Sequence, residues 1–210
     1  MSELKYQAID YTLLATENLK PGDILIHNEE LVRRIDQIAE DVAERYKGQR
    51  LMLVGLLIGA DATLVRLREA LFKIGFDNVE TEYMQVRTRG EDLESSGAIE
   101  IIKDIPPAML VGKNALLVDD IADSLTTFAG VANHFQPNGL ASFATFSLLE
   151  KPARHKPELV GVPLDFVGFK IPDIWVEGFG LDSYGYGRGN PNIVFGPTPE
   201  ALAFRDAQLK

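Results

Sequence analysis

Two kinds of apolar pattern alternate along the chain, and together they predict an α/β fold. An uninterrupted apolar run at 115–118 and largely apolar stretches at 51–57 and 141–149 are typical of strands that are covered on both faces of a parallel sheet. Apolar residues at helical spacing predict an amphipathic helix over 29–47. Further helices are predicted over 63–74 and 126–134, and further strands over 79–86, 98–102, 166–171 and 191–196.

Capping and turn residues mark where several of these elements begin. Asn28 is a candidate N-cap of the first long helix, and Thr198 is expected to cap a closing helix with Pro199 at its first position. A Pro-Gly turn closes residues 1–23, which we interpret as an N-terminal extension or as part of a small lid over the site. A single domain is predicted over 24–210.

Composition narrows the classes of partner. A chain of 210 residues, of which 46% are hydrophobic, suits one domain with a substantial core. A formal net charge of -10 argues against nucleic acid or an anionic membrane as partner, so small molecules are expected. The absence of Cys excludes disulfides, a thiol nucleophile and a zinc-thiolate site. Because the first twenty residues lack a signal pattern and no apolar run reaches transmembrane length, we predict a cytoplasmic protein.

The stretch NALLVDDIADSLTT at 114–127 carries the strongest candidate chemistry. Its buried strand ends in Asp119 and Asp120. Small acceptors and hydroxyls then open the next predicted helix: Asp123, Ser124, Thr126 and Thr127. Ligands bind at the carboxyl ends of strands in open α/β sheets, and helix N-termini offer N–H groups to phosphates. Carboxylates beside such a cradle indicate a phosphorylated sugar held with a divalent cation. The alternative is an ordinary acidic turn with a Ser or Thr N-cap.

This stretch resembles the phosphoribosyl-pyrophosphate signature of type I phosphoribosyltransferases in VDDIADSLTT, with Leu125 where the family usually has Gly. A second segment, PDIWVEGFGLD at 172–182, resembles the C-terminal motif of the hypoxanthine-guanine enzymes, and Arg188 follows it at the family's spacing. Lys151 lies between the two motifs, and the resemblance covers residues 24–197. It implies a parallel sheet core flanked by helices, with a small hood built from the N- and C-terminal segments.

The resemblance also implies roles at the sugar and the metal. Asp119 and Asp120 would hold the ribose hydroxyls and, together with Asp182, would organise Mg2+. Asp123 would face purine N7 as the general base or acid. The 5-phosphate would lie in a cradle formed by Asp123, Ser124, Leu125, Thr126 and Thr127.

The same resemblance places the pyrophosphate between Arg188 and a loop of Leu57, Ile58 and Gly59. The family usually has Leu-Lys-Gly there, with an unusual peptide bond, so Ile58 replaces a basic residue. Taken alone, this segment is equally an ordinary βα turn. The polar stretch 87–96 resembles the flexible catalytic loop or is a solvated loop, and it contains two candidates for the missing cation, Arg87 and Arg89.

For the purine, the resemblance implies that Trp175 stacks on the base, the alternative being a core tryptophan beside Phe179. The Lys151 ammonium would donate to the exocyclic oxygen O6, which suits a 6-oxopurine because an ammonium has only donors. The Val176 main chain would read the opposite edge. Glu177 would tune selection at the 2-position or would simply face solvent.

The expected function is therefore purine salvage, in which ribose 5-phosphate passes from phosphoribosyl pyrophosphate to hypoxanthine or guanine. Two alternatives stay open at this point. One is an enzyme that prefers xanthine, and the other is a non-catalytic protein that keeps the pocket as a phosphoribosyl-pyrophosphate sensor. The family usually forms dimers or tetramers, so the resemblance implies a homodimer or a homotetramer.

Overall fold

The computed structural model describes residues 4–88 and 99–209. Five α-helices lie in these ranges: α1 Asn28–Arg45, α2 Asp61–Lys73, α3 Pro107–Leu110, α4 Thr126–Phe135 and α5 Pro199–Gln208. Ten strands accompany them: β1 Ile9–Asp10, β2 Ile24–Ile26, β3 Leu51–Leu56, β4 Val79–Thr88, β5 Ile99–Lys103, β6 Asn114–Ala122, β7 Ser142–Glu150, β8 Phe166–Lys170, β9 Val176–Glu177 and β10 Ile193–Phe195. None of the helices in the described ranges combines the length and apolar character that a bilayer-spanning helix needs.

A seven-stranded sheet with the order β1-β8-β7-β6-β3-β4-β5 forms the core. All neighbours are parallel except β4 and β5. Alternate residues of each central strand face opposite sides, so Leu53 packs with α1 and α2 while Val54 packs with α4. This double cover explains why these strands are largely apolar on both faces, and it confirms the predicted parallel sheet flanked by helices.

A smaller antiparallel sheet with the order β2-β10-β9 forms the hood. It joins a strand from near the N-terminus to two strands from the C-terminal part, as the resemblance implied. Residues 4–23 make contacts with both sheets. Within them β1 pairs with β8 of the main sheet, while the Gly22 N–H donates to the Phe195 carbonyl of the hood at 2.8 Å.

Several element ends differ from the prediction. The N-cap of α1 is His27, and Asn28 is the first helical residue, so the prediction of an Asn28 cap was wrong. Tertiary partners explain the difference, because the Asn28 backbone N–H donates to Asn192 Oδ1 and its side chain donates to the Pro191 carbonyl. These bonds tie the start of α1 to the hood. The Thr198 cap is confirmed, since its hydroxyl accepts from the Ala201 N–H at 3.2 Å.

The central strand β6 continues to Ala122, four residues beyond the apolar run. It remains paired with β7 as far as the register of Ala122 with Glu150. Asp119 and Asp120 therefore lie inside the last part of the strand, whereas the prediction had ended the strand at these two residues. A strand fixes their backbone more firmly than a loop would, because the ladder with β7 holds it.

Candidate active site

A cavity of about 480 Å3 opens at the carboxyl ends of β3, β4 and β6, next to the start of α4. Eight of the predicted site residues line it: Leu57, Gly59, Asp119, Asp120, Asp123, Ser124, Leu125 and Thr127. A larger cavity of about 890 Å3 lies between the N-terminal segment and α1. Its charged groups pair with one another, as Arg45 does with Asp165 at 2.6 Å. We therefore take the smaller cavity as the candidate active site.

The two adjacent carboxylates lie in a nearly closed environment. Asp119 is only 8% exposed, and its Oδ1 accepts the backbone N–H of Asp120 at 3.0 Å. Burial raises the pKa of Asp119 well above its ordinary value, and the charge of Asp120 adds to the shift. Burial also raises the pKa of Asp120, against the opposing effect of the positive charge of Arg188. Both groups therefore favour a nearby positive charge that would allow them to ionise together.

The loop of Leu57 to Gly59 lies directly against this pair. A Cβ atom on Gly59 would come within 1.8 Å of Asp120 Oδ2, so only glycine fits. The Leu57–Ile58 peptide bond is cis, in agreement with the unusual bond that the resemblance implied, and Ile58 is 55% exposed. The hood approaches from the other side, since a Cβ on Gly180 would lie 2.1 Å from the Gly59 carbonyl oxygen.

The predicted phosphate cradle forms a tight turn before α4. Ser124 Oγ donates to Thr126 Oγ1 at 3.0 Å and accepts the Thr126 backbone N–H at 3.4 Å. Leu125 adopts a left-handed conformation, with φ of 67°, where the family usually has glycine. Because Leu125 occupies the N-cap and gives no side-chain cap, the first turn of α4 keeps N–H groups for an anion.

Arg188 and Asp182 form an ion pair at 2.5 Å in the hood. Arg188 also donates to the Gly180 carbonyl at 2.7 Å, next to the loop that Gly59 belongs to. The pair is partly exposed, and it is close enough to Asp120 for Arg188 to lower the pKa of that carboxyl. The predicted pyrophosphate arginine is thus near the carboxylate pair, although neither Arg188 nor Asp182 lines the cavity itself.

Lys151 follows β7 directly and is 8% exposed. Burial lowers the pKa of its ammonium, while the carboxylates of Asp123 and Asp173 act in the opposite direction. The Lys151 backbone N–H donates to the Ala122 carbonyl, which places it beside the end of the central strand. A desolvated ammonium flanked by two acids is suited to donate a hydrogen bond to a neutral acceptor.

Trp175 is 49% exposed, so the alternative of a core tryptophan was wrong. Its indole N–H donates to Ser183 Oγ at 2.7 Å, and its ring stacks against Tyr184. The solvent-facing alternative for Glu177 was also wrong. Glu177 is 2% exposed, and its Oε2 atom has no hydrogen-bond partner within the described ranges. Val176, which precedes it, is buried in β9.

Several residues that line the cavity were missed from the sequence, among them Arg154 and Ile121. Arg154 lines the cavity, and its Nε–H donates to Asp123 Oδ1 at 3.1 Å while lying 3.8 Å from Asp173. Ile121 adds an apolar wall between the carboxylate pair and Asp123. The basic loop after Lys151 was the only signal for Arg154, whereas nothing in the sequence distinguishes Ile121 from a core residue.

The predicted flexible loop is described only in part. Arg87 and Thr88 belong to the end of β4 and line the cavity, which places one candidate cation beside the carboxylates. Arg89 and most of the stretch 87–96 lie outside the described residues. That Arg87 supplies the positive charge which the family has at the position of Ile58 stays a prediction.

The carboxylates suit Mg2+, which prefers oxygen ligands and takes one or two carboxylates together with substrate phosphates and water. In residues 4–88 and 99–209, no group of three or more His, Asp or Glu side chains is arranged to hold a metal ion. Asp119, Asp120 and Asp182 therefore do not form a closed cage. A bound Mg2+ would need further oxygen ligands from a substrate, and the three-carboxylate assignment stays a prediction.

Residues 22–184 match the family model of the phosphoribosyl transferase domain, and the chain belongs to this family. It is 34% identical over 171 residues to the hypoxanthine-guanine phosphoribosyltransferase of Aquifex aeolicus, covering 81% of this chain and 92% of that protein. It is 33% identical to the hypoxanthine phosphoribosyltransferase of Escherichia coli strain K12, over 76% of this chain and 86% of the relative.

A solved structure shares this fold over nearly its whole length. It is the hypoxanthine phosphoribosyl transferase of Trypanosoma cruzi, and it was solved to study the role of the C-terminal region in oligomeric state and enzymatic activity. The TM-score is 0.79 at 30% identity, covering 89% of this chain and 96% of that one.

Proposed function

We propose that this protein is a purine-salvage phosphoribosyltransferase that transfers ribose 5-phosphate from phosphoribosyl pyrophosphate to hypoxanthine or guanine. One observation supports this most directly. The carboxylate pair, the loop at Gly59 and the phosphate cradle meet at one cavity, beside the buried Lys151. This is the set of groups that a sugar phosphate, a pyrophosphate and a 6-oxopurine require when they are held side by side.

The cradle before α4 binds the 5-phosphate. The N–H groups of the first turn and the hydroxyls of Ser124 and Thr127 suit an anion that carries several oxygens. Asp119 and Asp120 accept hydrogen bonds from the ribose hydroxyls at the floor of the cavity. Binding at both ends of the sugar holds its C1 atom in one place, which favours the reaction by orientation.

Asp119 and Asp120 would also hold Mg2+, with Asp182 on the pyrophosphate side. When bound, the cation supplies neutralising charge for the pyrophosphate. The protein's own contribution to the departing pyrophosphate comes from the Arg188 guanidinium and from backbone N–H groups of the Gly59 loop. During transfer the C1–O bond to pyrophosphate breaks, and a bond forms between C1 and a ring nitrogen of the purine.

Asp123 handles the proton of the attacking base. It lines the cavity together with Ser124 and Thr127, its charge acts on Lys151, and its Oδ1 accepts from Arg154. This hydrogen bond fixes the carboxylate and leaves Oδ2 for the base. General acid–base catalysis requires such a group within hydrogen-bond reach of the proton that it takes.

Base selection depends on Lys151. Its ammonium donates to O6 of hypoxanthine or guanine but finds no acceptor in the 6-amino group of adenine. A site built to donate rejects the wrong partner strongly, because the buried donor is then left unpaired. Trp175 stacks on the face of the base, and the Val176 main chain reads the opposite edge.

We also propose that the protein forms a homodimer or homotetramer. The end of α2 carries exposed apolar side chains, with Phe72 72% and Ile74 48% exposed, which association would cover. Native mass at several protein concentrations tests this proposal, and a monomer at all concentrations would refute it.

The function is tested by steady-state turnover of the purified protein with phosphoribosyl pyrophosphate and Mg2+. Hypoxanthine, guanine, xanthine and adenine are compared in parallel. We expect turnover of hypoxanthine or guanine and none of adenine. Preference for xanthine would favour the first alternative. Tight binding of phosphoribosyl pyrophosphate without turnover of any base would refute the enzyme and favour the sensor.

A further inference from the structure

The hood contains a turn, Ser183 to Tyr186, that has no role in the chemistry above. Its two ends exchange backbone hydrogen bonds, with Ser183 N–H to the Tyr186 carbonyl at 2.9 Å and the reverse bond at 3.0 Å. Both central residues have positive φ, 58° at Tyr184 and 89° at Gly185, as in the tight turns of β-hairpins. Glycine adopts this conformation readily, but a tyrosine is strained in it. Some contact of the Tyr184 ring must therefore favour it.

That contact is with Trp175. The two rings stack with centroids 6.2 Å apart and planes inclined by 19°. The neighbouring Ser183 is fully buried, and its hydroxyl accepts the indole N–H at 2.7 Å. One turn thus fixes the indole twice, by a hydrogen bond at its edge and by a ring against its face. Since Trp175 is still 49% exposed, much of the indole remains open to a ligand.

The Tyr184 ring has a second contact, with α5. The Arg205 guanidinium of α5 lies 5.2 Å from the centroid of the Tyr184 ring, a distance typical of cation–π contacts. Asp206 holds that guanidinium through two hydrogen bonds of 2.9 and 2.7 Å. The contacts therefore run from Trp175 through Tyr184 to Arg205 on the closing helix.

The same turn touches the pyrophosphate side of the site. The Gly185 N–H donates to Asp182 Oδ2 at 2.6 Å, while the other carboxylate oxygen of Asp182 pairs with Arg188. The turn therefore joins the surface assigned to the purine and the ion pair assigned to the pyrophosphate into one rigid piece.

We propose that Tyr184 is a positioning residue for the purine, because it holds the Trp175 indole at the angle on which the base stacks. This inference rests on the proposed function. Tyr184 acts through Trp175 and does not itself touch the base. Its loss should therefore weaken base binding, while the site for phosphoribosyl pyrophosphate at Asp119 to Thr127 keeps its contacts.

The test compares Tyr184→Ala with a matched control, Tyr186→Ala. The two tyrosines belong to the same turn and are similarly exposed, at 43% and 39%. The ring of Tyr186 packs on Phe204, at 5.7 Å, and not on Trp175. Kinetics are measured with hypoxanthine and with phosphoribosyl pyrophosphate as the varied substrate. Trp175 is the chain's single tryptophan, so its fluorescence reports on the indole alone.

We expect Tyr184→Ala to raise KM for hypoxanthine about three- to tenfold, the equivalent of one aromatic pair, with KM for phosphoribosyl pyrophosphate unchanged. Its tryptophan emission should shift to the red as the indole gains solvent. Tyr184→Phe should restore both properties, because the ring is kept. Tyr186→Ala should resemble the wild type in both.

Equal KM values for hypoxanthine in wild type and Tyr184→Ala would overturn the proposal, as would the same rise in Tyr186→Ala. If Tyr184→Ala does not fold, Arg205→Ala removes the exposed support of the ring instead, and it should raise the same KM by a smaller factor. An unchanged KM in Arg205→Ala would then count against the stack. Absence of turnover in the wild type would refute the proposed function itself, and quenching of Trp175 by hypoxanthine would then decide between the variants.

Discussion

Replacement of the buried Glu177 by methionine should stabilise the protein. Glu177 is 2% exposed on β9, where it pairs with Val194 of β10. Its carboxyl group packs against the backbone of Gly187 and Gly196, and Oε2 has no hydrogen-bond donor among the described residues. A carboxylate in such a place has lost water without gaining a full set of partners.

The size of the effect follows from these contacts. A buried polar group without a partner costs about 1–3 kcal/mol, which Glu177→Met removes. Methionine is unbranched and of similar length, and imperfect packing at a swap of this kind usually costs less than about 1.5 kcal/mol. We therefore expect a net gain of about 1 kcal/mol in the free energy of unfolding. For a chain of this size each kcal/mol raises Tm by roughly 2–4 °C.

Thermal and urea unfolding of the ligand-free protein at neutral pH measure this gain. The control is Glu17→Met, at an exposed position, which should change the free energy of unfolding by less than about 0.5 kcal/mol. A loss of stability in Glu177→Met would refute the reasoning, because it would mean that the carboxylate has a favourable partner. The same variant tests base selection, since a changed ratio of guanine to hypoxanthine turnover would show that Glu177 tunes the 2-position.

Three further predictions concern the base pocket. Lys151→Ala should lower kcat/KM for hypoxanthine roughly 10- to 150-fold, the value of a hydrogen bond from a charged donor, and should leave KM for phosphoribosyl pyrophosphate nearly unchanged. Steady-state kinetics check this, and equal losses for both substrates would contradict the role of Lys151. Asp123→Asn should lower kcat by about 10²–10⁴-fold with little change in substrate binding, and unchanged turnover would remove Asp123 as the proton-handling group. Asp173→Asn should lower the pH above which the protein binds hypoxanthine poorly, because Asp173 raises the pKa of Lys151 against the lowering effect of burial. The ammonium loses its proton as pH rises, so KM for hypoxanthine measured against pH should begin to increase earlier in the variant, and coincident profiles would refute the coupling.

The strand and helix pattern was predictable because local physics determines it. The run at 115–118 is apolar on both sides of the strand, and in the structure Leu116, Leu117 and Val118 are fully buried. The apolar pattern left the position of Trp175 open, since an aromatic residue near Phe179 fits a core equally well. The motif around it favoured a surface role, and its exposure agrees.

Contacts between distant segments were not predictable. Gly59 touches Asp120, and the Gly59 carbonyl touches Gly180, because the parallel register and the fold of the hood bring three separate segments together. Arg154 reaches Asp123 for the same reason. Asparagine before a helix is typical of an N-cap, but Asn28 makes its hydrogen bonds with tertiary partners in the hood. Such competition cannot be predicted from the sequence of the helix alone.

The two departures from the family pattern fall where backbone atoms face the ligand. At Leu125 the family's glycine supplies a left-handed turn, and leucine adopts the same conformation here with φ of 67°. Its side chain is 3% exposed and packs in the core beside Phe128, so hydrophobic burial offsets the strain of the turn. At Ile58 the missing cation leaves an exposed apolar side chain, but the loop still meets Asp120 through Gly59. A phosphoribosyl-pyrophosphate sensor would use the same close contact, but it would have no use for a base pocket. The buried Lys151, on which the charge of Asp123 acts, therefore favours a working enzyme over a sensor.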